Sequence, residues 1–202
     1  MSLRFSHSPQ APTAPSARAF TTLEIMVAMA ILATLSLLLL AAAPRGLEKV
    51  RTAACANRLR ELGIALVLYS SEHTGNFPDA GTTEVSDHVK LASNYVQKLE
   101  VMVHCPSDFS RSQAADLATM TDANVSYGYV THLNNRDSML LPIAFDRGIG
   151  VDGDTLSALS GQGWTFPLHH GGGNLLLNGG EVRFAASFPN PVEAENSPVV
   201  VP

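Results

Sequence analysis

The feature that most constrains this chain is an uninterrupted apolar segment near its N-terminus. Nineteen uncharged residues run from Ile25 to Ala43. At about 1.5 Å rise per residue, a helix of this length matches the roughly 30 Å hydrocarbon core of a bilayer. Burial of its larger aliphatic side chains contributes about −3 to −5 kcal/mol, which exceeds the penalty of at most ~3 kcal/mol for the carboxylate of Glu24 in front of it. We therefore expect residues 20–43 to form a transmembrane helix.

The residues alone leave three interpretations of this segment. The first two are a secretory signal peptide cut after the small residues Ala41 to Ala43 and a plain single-pass anchor. Both leave Glu24 without a role, and the segment is longer than the ~7 to 15 apolar residues usual in a signal peptide. The third interpretation gives Glu24 a function. In each case residues 1–19 contain Arg4 and Arg18 and no acidic residue. This basic flank should stay cytoplasmic, and the bulk of the chain should be exported.

The third interpretation rests on the sequence AFTTLE, residues 19–24, followed by an apolar helix. This stretch resembles the processing site of type IV prepilins and type II secretion pseudopilins. The resemblance implies that residues 1–19 are a leader, that a prepilin peptidase cuts between Ala19 and Phe20, that Phe20 is N-methylated, and that Glu24 is the fifth mature residue. Ala19 stands where the family usually has Gly. In a filament, Glu24 of one subunit would neutralise the Phe20 amine of a neighbour, and such an ion pair is strong in low dielectric.

Beyond the apolar segment the sequence continues as a helix. Pro44 should loosen it locally, but from residue 47 good helix formers run without Pro or Gly as far as Gly63. Five residues at spacings of four, three, four and three form one stripe that another element must cover: Cys55, Leu59, Leu62, Leu66 and Tyr69. We expect one helix of ~50 residues, ~75 Å long, from Thr21 to about Ser71. Its amphipathic half is residues 44–72.

The resemblance extends past this helix. RTAACANRLRELGIALVLYSSEHTGNFP and VHCPSD resemble landmarks of a set of pseudopilin-like proteins from planctomycete and verrucomicrobial bacteria. A third landmark of that set is a His, nine residues and then Asp-Gly. Here His169 is followed by nine residues and then by Gly179 and Gly180, so the acid of the signature is replaced. The resemblance implies a pilin-like fold, with the long helix packed on a small antiparallel sheet.

The C-terminal region predicts a β-hairpin from its own residues. Two apolar runs, residues 175–177 and 182–184, meet across Asn178, Gly179 and Gly180. We expect an Asn-Gly turn with positive φ at both central residues, and an apolar hairpin face that covers the helix stripe. NVSYGYVTHL and MLLPIAFD predict further strands, and a short helix or helix-strand passage is expected from about Asp87 to Val103.

These elements predict an α+β fold with one globular domain. About 155 residues remain after the leader and the apolar segment, which suits a single domain of the commonest size. We assign residues 73–189 to the globular part and residues 190–202 to a flexible tail. The net charge of −5 argues against nucleic acid as a partner, because such binding rests on clustered Lys and Arg.

The candidate sites are few. Cys55 and Cys105 in an exported chain either form a disulfide or are two separate buried thiols. Neither these isolated cysteines nor the adjacent His169 and His170 have the spacing of a zinc site. No G-x-S-x-G motif occurs either, so we do not expect this protein to be an enzyme. His169 is expected to stabilise a loop or the start of the hairpin. One weak Ca²⁺ site is left open against a solvated turn, with Asp146, Asp152 and Asp154 as its candidate ligands. No other cofactor is expected.

Two functions remain open. The first is a structural pseudopilin of a type II secretion or type IV pilus-like system, a single-pass protein of the bacterial inner membrane with its globular domain in the periplasm. The resemblance then implies three partners: the prepilin peptidase, other pilin or pseudopilin subunits, and an inner-membrane assembly platform. The second is an exported or anchored binding protein whose N-terminus serves only for targeting.

Overall fold

The computed structural model describes residues 20–149, 155–189 and 197–202, and the chain divides after Pro44 into two units. The long helix α1 begins in the first unit and ends in the second, and all other elements belong to the second unit. The helices are α1 (Thr22–Glu72), α2 (Val85–Lys90), α3 (Leu99–Met102) and α4 (Leu156–Leu159). The strands are β1 (Tyr127–Val130), β2 (Pro142–Asp146), β3 (Gly173–Leu177), β4 (Val182–Ala185) and β5 (Val199–Val200).

In the first unit α1 is an exposed apolar helix. Thr22–Leu40 is long and apolar enough to cross a membrane, and none of it is buried within the protein. Signal sequences near an N-terminus meet the same criterion. The segment is therefore a candidate for a membrane anchor or a signal sequence, and its one charged residue is Glu24.

In the second unit α1 forms one wall of the core. Cys55, Leu59, Leu62 and Leu66 are at most 1% exposed, and Tyr69 is partly buried against them, which confirms the predicted stripe. Gly63 lies on the same face, and a Cβ atom there would come within 2.7 Å of Leu176 Cδ1. The missing side chain thus lets the helix approach β3 closely.

A five-stranded antiparallel sheet packs against this wall in the order β4-β3-β2-β1-β5. The strands predicted around Tyr127 and Phe145 are confirmed as β1 and β2, which pair with Tyr127 opposite Asp146. All residues of β1, β2 and β3 are buried, whereas β4 is a half-exposed edge strand. The structure is therefore α+β, with an N-terminal apolar helix and a small antiparallel sheet.

The predicted hairpin is confirmed as β3 and β4, but its turn differs from the expectation. Leu177 accepts a hydrogen bond from the Gly180 N–H, and its own N–H donates to the Glu181 carbonyl, so three residues form the loop. Neither Asn178 nor Gly179 has a positive φ; Gly180 does, at 79°. This is the arrangement of a type I turn followed by a left-handed residue. The prediction of positive φ at Asn178 and Gly179 is therefore wrong.

The C-terminal segment also differs from its prediction as a flexible tail. Val199 and Val200 form β5 beside β1, with Val130 opposite Val199, and both are at most 5% exposed. Residues 190–196 lie outside the described residues. Val199, Val200 and Val201 are β-branched and favour a strand, but the run is short and lies between two prolines. Its pairing with β1 is a contact that the sequence alone does not give.

Short helical elements connect α1 to β1 along the chain. The passage predicted from about Asp87 to Val103 holds α2, a 3₁₀ turn at Ser93–Tyr95 and α3. Asp122 Oδ1 and Oδ2 accept hydrogen bonds from the backbone N–H groups of Ser86 and Val85 at the start of α2. A carboxylate at a helix start is favourable because the first N–H groups have no partner within the helix.

Candidate functional site

The first candidate site is the beginning of α1. Phe20 is exposed, Glu24 lies in the first turn, and Ala19 lies outside the described residues. The Glu24 N–H donates to Thr21 Oγ1 at 3.2 Å, and the Thr21 N–H donates to Glu24 Oε2 at 3.3 Å. These two reciprocal bonds form a capping box. The sequence carries the T-x-x-E signature of this box at residues 21–24. This signature, which the sequence analysis above does not use, indicates the capping role of Glu24.

The second candidate site is centred on a buried disulfide. Cys55 in α1 and Cys105 in the loop after α3 are bonded through their Sγ atoms, with Cα atoms 5.0 Å apart and no exposed surface. The sequence left this pairing open. A cross-link between residues 50 positions apart restricts the unfolded chain and contributes roughly 4 kcal/mol in the loop-entropy model.

His169 packs directly on this disulfide. Its Nε2 atom lies 3.6 Å from Cys105 Sγ and 3.4 Å from Asp146 Oδ2. Its Nδ1 atom lies 3.1 Å from Thr52 Oγ1 and 3.4 Å from Glu48 Oε1. The imidazole therefore joins α1, the loop that carries Cys105 and the end of β2. Its position just before β3 agrees with the predicted role at the start of the hairpin, and its neighbour His170 is exposed.

Asp146 is the other unusual member of this cluster. Its Oδ2 atom accepts hydrogen bonds from the Asn174 N–H at 2.7 Å and from Asn174 Nδ2 at 2.9 Å. Its Oδ1 atom is buried and has no hydrogen-bond partner in the described part of the chain. Burial raises the pKa of Asp146 to about 7, although the Asn174 donors act against this. Burial also lowers the pKa of His169, and the hydrogen bond to Glu48 opposes that shift.

A buried ion pair holds the Cys105 loop to the sheet. Arg147, which follows β2, donates from Nε to Asp108 Oδ2 at 2.5 Å and from Nη2 to Asp108 Oδ1 at 2.6 Å. Burial alone would raise the pKa of Asp108, but hydrogen bonds from Arg147 and Ser110 lower it to about 2. In the stretch VHCPSD, Cys105 thus cross-links the loop to α1 and Asp108 ties it to the residue after β2.

An open cleft of about 510 Å³ lies at the C-terminal end of α1. Its lining residues are Tyr69, His73, Thr74, Asn76, Phe77, Asp79, His132 and Leu133. Thr74 and His132 both have φ of 58°, a conformation that costs non-glycine residues about 1–3 kcal/mol and clusters at functional sites. Asp79 Oδ2 lies 3.2 Å from His132 Nε2. No sequence motif predicts this cleft, because its residues come from the end of α1, the loop after it and the loop after β1.

The structure brings some of the predicted site residues together and separates others. His169 and Gly179 lie beyond opposite ends of β3, so they make no common site, and the replaced acid of the signature would stand in the hairpin turn. Asp146 is buried beside His169. Asp152 and Asp154, the other two candidate Ca²⁺ ligands, lie outside the described residues, so that prediction stays untested.

The structure brings together three residues of types that can bind zinc, although the sequence shows no zinc-site spacing. Cys55, Cys105 and His169 are far apart in the sequence. In the structure the two Sγ atoms and an imidazole nitrogen lie within 4.8 Å of one another, and all three residues are buried. No local spacing reveals such a group, because 64 residues separate Cys105 from His169. These residue types are the ligands that zinc prefers.

Comparison with models of protein families, with curated proteins and with solved structures found no match to this chain. The functional argument therefore rests on the residues and on their geometry.

Proposed function

We propose that this chain is a pilin-like structural subunit of a type II secretion or type IV pilus-like system. The observation that carries the proposal is one carboxylate, Glu24, in the first turn of a helix that is otherwise uncharged as far as Leu40. Phe20 precedes it by four residues, as in the prepilin processing site that this stretch resembles. An antiparallel sheet packed on the amphipathic part of the same helix is consistent with a pilin-like fold.

The physical argument concerns the cost of Glu24 in lipid. A carboxylate within the first turn of a membrane helix is unfavourable unless it finds a partner. The Thr21 N–H and hydroxyl supply neutral donors at 3.3 and 3.4 Å, but they bring no counter-charge. Cleavage after Ala19 would free a cationic amine on Phe20, and in a filament this amine of one subunit would pair with Glu24 of the next. Assembly would then remove an uncompensated charge from the bilayer and also set the register.

The proposal fixes the location and the partners. The leader, residues 1–19, faces the cytoplasm, the apolar part of α1 crosses the inner membrane, and the sheet domain lies in the periplasm. A prepilin peptidase removes the leader. Other pilin-like subunits then contact the apolar helix, and an inner-membrane platform drives their assembly.

The test separates charge pairing from helix capping at Glu24. Glu24→Gln keeps the capping-box geometry, because Gln also serves at that position, but it removes the charge. Thr21→Ala removes the hydroxyl half of the box and keeps the charge. We expect Glu24→Gln to be processed and retained in the membrane yet lost from sheared filaments, whereas Thr21→Ala should assemble. Incorporation of Glu24→Gln at the wild-type level, with equal subunit amounts in the membrane, would refute the ion pair.

A second candidate function has its own supporting observation. The cleft around Asp79 and His132, with two strained residues in its lining, favours an exported or anchored binding protein. Mass spectrometry of the mature N-terminus discriminates between the two functions. Methylated Phe20 supports the filament subunit, while a chain that starts at Pro44 supports a protein released by signal-peptide cleavage.

A further inference from the structure

Three zinc-type ligands and a carboxylate converge in the core of the second unit. The Sγ atoms of Cys55 and Cys105 and a ring nitrogen of His169 lie within 4.8 Å of one another. The Nε2 atom of His169 faces Cys105 Sγ at 3.6 Å and Asp146 Oδ2 at 3.4 Å. Two thiolates and one imidazole make three ligands of this group. Asp146 lies outside the group but adjoins it through the imidazole, so a small movement of its carboxylate would supply the fourth ligand that tetrahedral zinc requires.

The groups around these ligands have the arrangement that orients ligands in metal sites. A histidine ligand ordinarily donates its second ring N–H to a carboxylate or another acceptor. In this structure Nδ1 of His169 faces Glu48 Oε1 at 3.4 Å and Thr52 Oγ1 at 3.1 Å, which leaves Nε2 directed at the sulfur atoms. Carboxylate ligands are likewise held by hydrogen bonds, and Asn174 holds Asp146 through two donors.

We propose that the dithiol form of this chain binds one zinc ion through Cys55, Cys105, His169 and Asp146, and that the disulfide is the metal-free form of the same site. The site is closed, since all four residues are at most 2% exposed, and closure is typical of structural zinc. The Asp146 carboxylate also carries a buried oxygen, Oδ1, that has no hydrogen-bond partner among the described residues. Such an atom is costly unless a cation or a donor satisfies it.

The interconversion balances with a dithiol as the reductant. A dithiol transfers two electrons and two protons to the Cys55–Cys105 bond, which gives two cysteine thiols and one oxidised cyclic disulfide. Zinc then replaces the two thiol protons as it binds the thiolates. In the reverse direction a disulfide oxidant accepts two electrons from the thiolates, the Cys55–Cys105 bond re-forms and the zinc ion leaves.

This site lies in the second unit and does not depend on the proposed assembly role of Glu24. Failure of zinc binding would leave the filament proposal untouched, and failure of assembly would leave the zinc proposal untouched. The two experiments also use different readouts, metal content and filament content.

The experiment uses the full chain in detergent micelles, freed of metal with EDTA. One sample is reduced with a phosphine under nitrogen and the other is kept oxidised, and both are incubated with zinc and desalted. We expect about one zinc per chain in the reduced sample and none in the oxidised sample. Cobalt in place of zinc should give the intense thiolate-to-metal absorption of a tetrahedral site. A reduced chain that retains no stoichiometric zinc would overturn the proposal.

Variants identify the ligands. His169→Ala should weaken zinc binding at least ~100-fold, and His170→Ala, which changes the exposed neighbour, should leave it unchanged. Because His169→Ala removes a buried side chain and can impair folding, Glu48→Ala provides a second test at a half-exposed position, with an expected loss of about 10- to 100-fold. Equal affinity of the wild type, Glu48→Ala and a folded His169→Ala variant would show that the metal binds elsewhere.

Discussion

Two buried carboxylates near the C-terminal end of β2 behave in opposite ways. Asp108 and Asp146 are both at most 3% exposed. Burial raises the pKa of each, yet the pKa of Asp108 falls to about 2 while that of Asp146 rises to about 7. The difference is the partner: Asp108 has the guanidinium of Arg147, whereas Asp146 has the neutral donors of Asn174. A counter-charge, rather than burial, decides the protonation state.

The neighbouring positions of Asp146 and Arg147 explain how one strand end serves both sites. Side chains of successive residues in extended backbone point to opposite sides. Asp146 therefore contacts His169 and Asn174, while Arg147 contacts Asp108 in the VHCPSD loop. The loop is thus fixed by a permanent ion pair, and the disulfide cluster contains a carboxylate that titrates near neutral pH.

Arg147→Met tests the stronger half of this comparison and has the largest expected effect. The substitution keeps most of the side-chain length but removes the close partner of the Asp108 carboxylate, which is 1% exposed. Among the described residues only Arg111 remains as a counter-charge, with its Nε atom 4.0 Å from Asp108 Oδ2. Breaking a buried pair in this way costs about 3–5 kcal/mol. We expect that loss in the free energy of unfolding at pH 7, measured by denaturant titration of the full chain in detergent micelles.

The control is an exposed Arg–carboxylate pair of the sheet domain, Arg183 with Glu181. Its geometry is similar, with N–O distances of 2.7 Å, but both side chains are more than half exposed. Exposed pairs contribute little because water screens them. Arg183→Met should therefore leave the unfolding transition in place. Similar losses for the two variants would contradict the view that burial makes the Asp108 pair important.

Asp146→Asn tests the other half of the comparison. The pKa of Asp146 is about 7 in the folded protein and near 3.8 in the unfolded chain. A raised pKa gives stability that is fully present below about pH 4 and is lost as the pH rises through about 7. Asparagine does not titrate, so the stability of the variant relative to the wild type should increase between pH 4 and pH 8, by about 2 to 4 kcal/mol.

The pH series requires a matched control because His169 is a second titratable group in the same cluster. Burial lowers the pKa of His169, so its contribution is lost as the pH falls and runs opposite to that of Asp146. Asp87→Asn, at an exposed carboxylate paired with Lys90, should follow the wild-type profile. Thermal melts every half pH unit give the comparison. A constant difference between Asp146→Asn and the wild type would mean that Asp146 stays ionised throughout.

Sequence patterns predicted the parts of this fold that depend on local periodicity. The spacing of Cys55, Leu59 and Leu62 gave the buried face of α1, because one helix turn fixes which side chains share a face. The hairpin followed from two apolar runs around a Gly-rich loop. Its turn type did not follow, since Asn178-Gly179 fits several loop lengths and the contact of the Gly179 N–H with the Met139 carbonyl selects among them.

The candidate site depends on contacts that no local pattern contains. His169 meets Cys105 across 64 residues and Glu48 across 121. Such contacts form only when the sheet packs on α1. Taken one at a time, the cysteines therefore indicate buried thiols and His169 indicates a histidine in a loop. The strand β5 was likewise not predicted. Its two residues, Val199 and Val200, are fixed by pairing with β1.

Ser110→Ala should give the smallest effect and sharpens the comparison from the donor side. The Ser110 hydroxyl donates to Asp108 Oδ1 at 2.8 Å, and the backbone N–H of the same residue, which the substitution retains, lies 3.3 Å from that oxygen. The same hydroxyl accepts a hydrogen bond from Arg147 Nη2, so the substitution removes two hydrogen bonds to charged groups at an exposed residue and costs about 1–2 kcal/mol. It should also raise the pKa of Asp108 from about 2 toward its ordinary value, because one group that favours the ionised form is gone. A lowered pKa gives stability that is present above about pH 4 and lost as the pH falls through the folded-state pKa, so the acid-unfolding midpoint should shift to higher pH.

Near-ultraviolet circular dichroism during acid titration measures that midpoint. Ser112→Ala is the control, since the backbone carbonyl of Ser112, which the substitution keeps, accepts the bond from Asn124. An equal midpoint for both variants would mean that the Ser110 hydroxyl does not contribute to the lowered pKa of Asp108.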